Sequence, residues 1–205
     1  MELAKQNIPQ LVFCPEGSPL HSFCDKNAIA IKTYRKRSGL YLLNALKLTL
    51  LCRKAETPIL HVHDSHSHTV AFLSVAFFMN KVPIVIHRRV SFPAKKSFFS
   101  NIKYNHRAIT HIICVSDHAR AQVNRRLLNT DKTVTIHDGI DLSRFKEKKA
   151  GNILRNKYKL QSRHTLIGNI SALTPEKDLI TFINTAGILL KKYPDFRFLI
   201  IGDGA

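Results

Sequence analysis

Short apolar runs alternate with helix-spaced segments along almost the whole chain, and this rhythm limits the possible folds more than any other feature. Residues 9–14 (Pro-Gln-Leu-Val-Phe-Cys) read as a buried strand, closed by Pro15-Glu-Gly17. Residues 28–32 form a second short strand. Residues 39–54 carry leucines at 42, 43, 46, 50 and 51, the spacing of a helix. The next strand is 58–63, after which Asp64-Ser65 caps a helix covering 69–80. Strands at 82–87, 111–115 and 132–136 are separated by helices over 95–105 and from Ser116-Asp117 to Leu128. Such alternation predicts an α/β protein with a doubly wound parallel sheet.

After residue 141 the character changes. Residues 142–163 are polar and basic, a connector with a short helix at 153–158, and they include Arg144 and Phe145. A second Rossmann-like unit opens at Thr165 with a strand, a break at Pro175, a helix over 179–192 and a strand over 196–201. The expected division is therefore an amino-terminal domain at 1–141, a connector at 142–163 and the start of a second domain at 164–205. Roughly 45 residues bury too little surface for a complete doubly wound domain, so this second unit is expected to be incomplete.

The stretch from Thr165 to Asp178 has the form of an anion site. It runs from an apolar strand through Gly168 and Ser171 to a helix start just after Lys177. Backbone N–H groups at a helix start lack partners within the helix, and the helix dipole favours an anion there. Lys177 adds a full positive charge. The plain alternative is an ordinary βα turn with a solvated lysine.

Charge narrows the partners. With 32 Lys and Arg against 14 Asp and Glu, the net charge is +18, which draws a chain to nucleic acid, anionic membranes or phosphorylated small molecules. The basic residues form no stripe and the aromatics no stacking platform, which disfavours specific nucleic-acid binding. The cysteines (Cys14, Cys24, Cys52 and Cys114) form no Cys-x-x-Cys pair and read as reduced thiols. No secretory h-region opens the chain, and the longest apolar run, 70–79, falls short of the about 20 residues that span a bilayer. A cytoplasmic protein is expected, peripheral on the inner face of a membrane at most.

Ligands of open α/β sheets sit at the carboxyl ends of the strands. His63-Asp64, His87-Arg88-Arg89, Ser116 and Asp138-Gly139 all fall there. His61 and His63 share a strand face, whereas His66 and His68 lie on the following turn. Zinc needs about four converging ligands, so scattered surface histidines are the favoured reading and no metal is expected. Lys95, Lys96 and Lys103, interleaved with Phe98, Phe99 and Tyr104, read either as a patch that faces a phosphorylated or lipid-linked ligand or as the polar side of an amphipathic helix.

The motifs in their order resemble a family 4 glycosyltransferase of the GT-B fold. Those that carry the resemblance are His61-Val-His63-Asp64, Pro83-Ile-Val-Ile-His-Arg-Arg-Val90, Ile112-Ile-Cys-Val-Ser116, Ile136-His-Asp-Gly-Ile-Asp141 with Arg144-Phe145, Ile170 to Asp178, and Leu199-Ile-Ile-Gly-Asp-Gly204. The resemblance implies retaining transfer of a sugar from a nucleoside-diphosphate donor to a glycan or lipid-linked acceptor, with no required metal or other cofactor. It assigns Lys177 as the phosphate-binding lysine, with Ser171, Gly168 and Gly139 on the donor side. His63, Asp64, Arg88 and Ser116 fall on the acceptor side, and either His87 or Arg89 fills the catalytic place near the reacting carbon. Gly139 reads as a tight turn that brings backbone close to the donor. Two departures stand out. Ala172 occupies the position where the family often has a second cationic clamp, five residues before the lysine. The family's Gly-rich opening and its pair of carboxyl-domain glutamates are also not in this sequence, so the chain is expected to be a fragment with little or no activity alone. The alternatives are a basic nucleic-acid-binding protein and a non-catalytic relic that exposes apolar surface.

Overall fold

Strands β1 (Val12–Pro15) and β2 (Ile31–Tyr34) pair in parallel, with Val12 opposite Ile31 and Pro15 opposite Tyr34. A second parallel sheet follows in simple order from β3 (Leu60–Val62) through β4 (Ile84–Arg88) and β5 (Ile109–Cys114) to β6 (Thr133–Thr135). Parallel neighbours need crossovers, and helices supply them. These are α1 (Pro19–Lys26), α2 (Tyr41–Lys54), α3 (Ser65–Phe78), α4 (Phe98–Asn105) and α5 (Asp117–Asn124). The protein is seen here as a computed structural model that describes residues 6–37, 39–89, 98–143 and 152–204, together with Leu3. Lys95, Lys96, Val90, Arg144 and Phe145 lie outside the described residues.

All of these elements belong to one compact unit, Met1–Gly139. Register explains its core. Val62 pairs with Ile86, and Ile86 with Ile112, so these side chains share one face. There they meet Ala45 and Leu48 of α2, Val70 and Ala71 of α3, Tyr104 of α4, and Ala119 and Val123 of α5. Ile84 and Ile112 are fully buried, each worth about 1.5–3 kcal/mol of transfer free energy. Offset by one residue, the opposite face carries His61, Val85, His87, His111 and Ile113, with His63 following β3. His61, His63 and His111 on that face are exposed.

Helix α1 is an addition to the elements expected above. Its signals are ordinary ones. The Ser18 hydroxyl accepts the His21 N–H at 3.2 Å, and Pro19 occupies the first turn. Helix α3 starts four residues earlier than its apolar run, because Asp64 and Ser67 form a capping box.

The second compact unit is Ile140–Ala205. It holds α6 (Ile153–Lys157), β7 (Thr165–Ile170), a 3-10 turn at Pro175–Lys177, α7 (Leu179–Lys192) and β8 (Phe196–Ile201). Strands β7 and β8 pair in parallel from Thr165 opposite Phe196 to Ile170 opposite Ile201. Ile180, Ile183 and Ile188 of α7 remain exposed. Among the described residues all four cysteines are free and buried, and no helix is long and apolar enough to cross a membrane.

Candidate functional site

In the first unit the carboxyl ends of β3, β4, β5 and β6 lie side by side and deliver the polar residues marked in the sequence. His63-Asp64 follow β3, Arg89 follows β4, Ser116 comes two residues after β5, and His137-Asp138 close the segment after β6. Arg89 pairs with Asp138 at 3.9 Å. Since β5 lies between β4 and β6, that ion pair arches over the end of the middle strand. The Val115 N–H donates to the Arg88 carbonyl at 3.2 Å, and the His137 ring contacts the Val115 carbonyl at 3.2 Å. The result is a row of cations and imidazoles along one sheet edge.

Two of the residues at this edge have structural work that occupies their side chains. Asp64 Oδ1 accepts the N–H groups of His66 at 2.7 Å and Ser67 at 2.8 Å. The Ser116 hydroxyl accepts the Ala119 N–H at 3.2 Å and so caps α5. Gly139 has no positive φ, and a Cβ placed there would meet no protein atom within 4 Å, so the backbone turn itself does not demand glycine.

The histidines separate into two groups. His61, His63 and His87 converge, with ring centroids 4.2 Å apart for the first two and 5.6 Å from each of these to His87. Partial burial and the neighbouring imidazoles push His61 down to about 4, and burial likewise lowers His63. These three are therefore not scattered. His66 and His68 sit on α3 rather than on a turn before it, because that helix begins at Ser65. His66 contacts the Tyr41 hydroxyl at 3.0 Å and stacks on Tyr34, whose own hydroxyl is pushed up to about 12 by burial and then by Asp64. Tyr34 and Tyr41 had no signal in the sequence, because they reach this edge from β2 and α2 through tertiary packing.

Lys103 is buried rather than on the solvated side of its helix. Its ammonium donates to Thr69 Oγ1 at 3.0 Å, and burial followed by the Arg88 charge lowers it to about 8. Its neighbours Phe98 and Phe99 are exposed.

In the second unit Gly168 lies inside β7, opposite Leu199, rather than in the loop, and a Cβ there would make only ordinary contact. The loop itself begins at Ser171, whose hydroxyl donates to Asn169 Oδ1 at 2.7 Å. Strand pairing continues into it. Ser171 N–H donates to the Ile201 carbonyl at 3.1 Å, and Leu173 N–H to the Asp203 carbonyl at 2.8 Å. Gly202 makes this closeness possible, since a Cβ there would overlap the Ser171 carbonyl. Lys177 ends the 3-10 turn with an exposed side chain. Asp178, left-handed at φ 47°, then caps α7 through a 3.4 Å contact from the Thr181 N–H. The start of α7 thus carries a carboxylate beside the lysine, and the charge reading of this loop must include it.

Parallel strands joined by helical crossovers, with polar residues at the carboxyl ends of the strands, make a Rossmann-like arrangement that places ligands at that edge. The family described as Glycosyltransferase Family 4 matches over residues 1–144, and the chain belongs to that family. Solved structures agree on the fold. The chain is similar to Anabaena Alr3699/HepE in complex with UDP-glucose, at 17% identity and a TM-score of 0.73, covering 94% of this chain and 52% of that one. It is also similar to a glycosyltransferase from Rickettsia africae ESF-5, at 14% identity and a TM-score of 0.70, covering 98% and 62%. A third likeness is to S. aureus MnaA bound to UDP, at 16% identity and a TM-score of 0.56, covering 89% and 52%. The chain spans about half the length of HepE. No curated protein matches the sequence.

Proposed function

We propose that the chain takes part in retaining transfer of a sugar from a nucleoside-diphosphate donor to a glycan or lipid-linked acceptor of the cell-envelope polysaccharide or lipopolysaccharide type. The observation that carries this reading is the cationic edge formed by His87, Arg88 and Arg89 beside His63-Asp64 and Ser116, within a chain of Glycosyltransferase Family 4. The likeness to UDP and UDP-glucose complexes supports a nucleotide-sugar as donor.

In this reading the first unit, apart from Gly139 at its very end, is the acceptor side and the second the donor side. Breaking a glycosidic bond to a diphosphate leaves negative charge on the departing oxygen, and fixed cations lower the barrier where that charge appears. Lys177 supplies a cation to the diphosphate, with Ser171 as a hydroxyl partner and Gly168 and Gly139 as donor-side backbone. His87 or Arg89 stands at the reacting carbon, and Arg88, His63, Asp64 and Ser116 contact the acceptor. Asp64 and Ser116 would do so with the oxygen lone pairs left over from capping. No metal is required by this chemistry. The net charge of +18 supports attraction to the inner face of an anionic membrane.

Titration of UDP into the protein by calorimetry tests the donor side. Binding is expected, and Lys177→Ala should weaken it by about 10–100-fold, the worth of one charge-assisted hydrogen bond. UDP affinity that is absent, or indifferent to Lys177, would remove the donor assignment.

A further inference from the structure

The three converging imidazoles at the edge of the first unit have a geometry that transfer chemistry does not call for. His61 and His63 stand two residues apart, so both project from the same face of the chain. The register of β3 against β4 sets His61 opposite Val85 and Val62 opposite Ile86, which brings His87 alongside His63 on that face. One ring nitrogen from each of the three lies within 4.8 Å of the others. None of the three rings is hydrogen-bonded among the described residues, so their nitrogen lone pairs are uncommitted.

We propose that His61, His63 and His87 form a site for one divalent transition-metal ion of the zinc class, with a fourth position open to solvent. Zinc–nitrogen bonds of about 2.0–2.1 Å in a tetrahedral site set ligand nitrogens roughly 3.3 Å apart. His61 and His63 are exposed and His87 half-buried, so the side chains have room to turn towards a shared ion. Imidazole donors suit zinc, copper and nickel, whereas magnesium and calcium require oxygen ligands. The local charge is compatible with a cation. Arg89 lies nearby, but Asp138 pairs with it, and the Asp64 carboxylate is close to His63. This site does not depend on the transferase reading. It also shares His63 and His87 with the proposed acceptor edge, so an ion there would take both imidazoles away from an acceptor.

The test is calorimetric titration of zinc into the chelator-stripped chain in a non-coordinating buffer. One ion per chain is expected. His61→Ala and His87→Ala should each weaken binding at least about tenfold, while His111→Ala, on the same sheet face one strand further, should leave it unchanged. Nitrogen NMR of the unmutated protein guards against misfolded variants, since zinc should shift the imidazole signals of His61, His63 and His87 and no others. Magnesium should compete with none of this. Absent binding, undiminished binding in a His61→Ala/His63→Ala/His87→Ala variant, or zinc-induced shifts at other histidines instead would each overturn the proposal.

Discussion

His68 is the residue whose surroundings most constrain its chemistry. Its ring is buried, packs edge-on against Tyr104 at 4.8 Å, and leaves Nε2 without a hydrogen-bond partner among the described residues. Burial, reinforced by the nearby Lys103 and Arg88 charges, pushes it down to about 3 from the usual 6.5. With its folded-state value depressed, His68 binds a proton at higher pH in the unfolded chain than in the folded one. Its contribution to stability is therefore fully present above pH 6.5 and is lost as pH falls from 6.5 towards 3, at about 1.4 kcal/mol per pH unit. Urea unfolding followed between pH 7 and pH 4 should show this slope, and His68→Phe should flatten it. An equal slope in both proteins would mean that other groups control acid unfolding.

At the scale of elements, the ends of β7 and β8 supply a contrast between two glycines. Gly202→Ala drives a methyl into the Ser171 carbonyl and should destabilise the unit by about 1–3 kcal/mol. Gly168→Ala adds a methyl at ordinary contact distance from the Leu199 carbonyl and should change stability by no more than about 0.5 kcal/mol. Thermal melts of the two variants compare them directly, and equal losses would contradict the loop packing described above. These elements also mark what the sequence could disclose. Helix α7 and strand β8 have the expected bounds because their periodicity and their breakers, Asp178 and Pro194, are local. Helix α1 carried its own signature in Ser18-Pro19, but eight residues of weak apolar pattern gave that signature little to begin. The histidine trio was only two-thirds legible. His61 and His63 share a face by chain geometry alone, whereas His87 joins them through the register of two strands, which no local pattern encodes. Burial of Lys103 was hidden for a related reason, since its partners Ser65 and Thr69 are more than thirty residues away in the chain.

At the scale of the whole molecule the chain holds two compact units, a first that presents a cationic strand edge and a second that presents Lys177 beside a helix start. The proposed division into acceptor and donor duties rests on family membership of the first unit and on a strong positive charge that suits phosphate-bearing ligands. Hydrogen exchange with and without UDP, then with an added glycan acceptor, tests it most directly. UDP should slow exchange of the amides at 171–174 and 177–181, and the acceptor should slow those at 63–64, 88–89 and 116–119. Protection by UDP confined to other segments, or no protection at all, would contradict the assignment of the second unit to the donor.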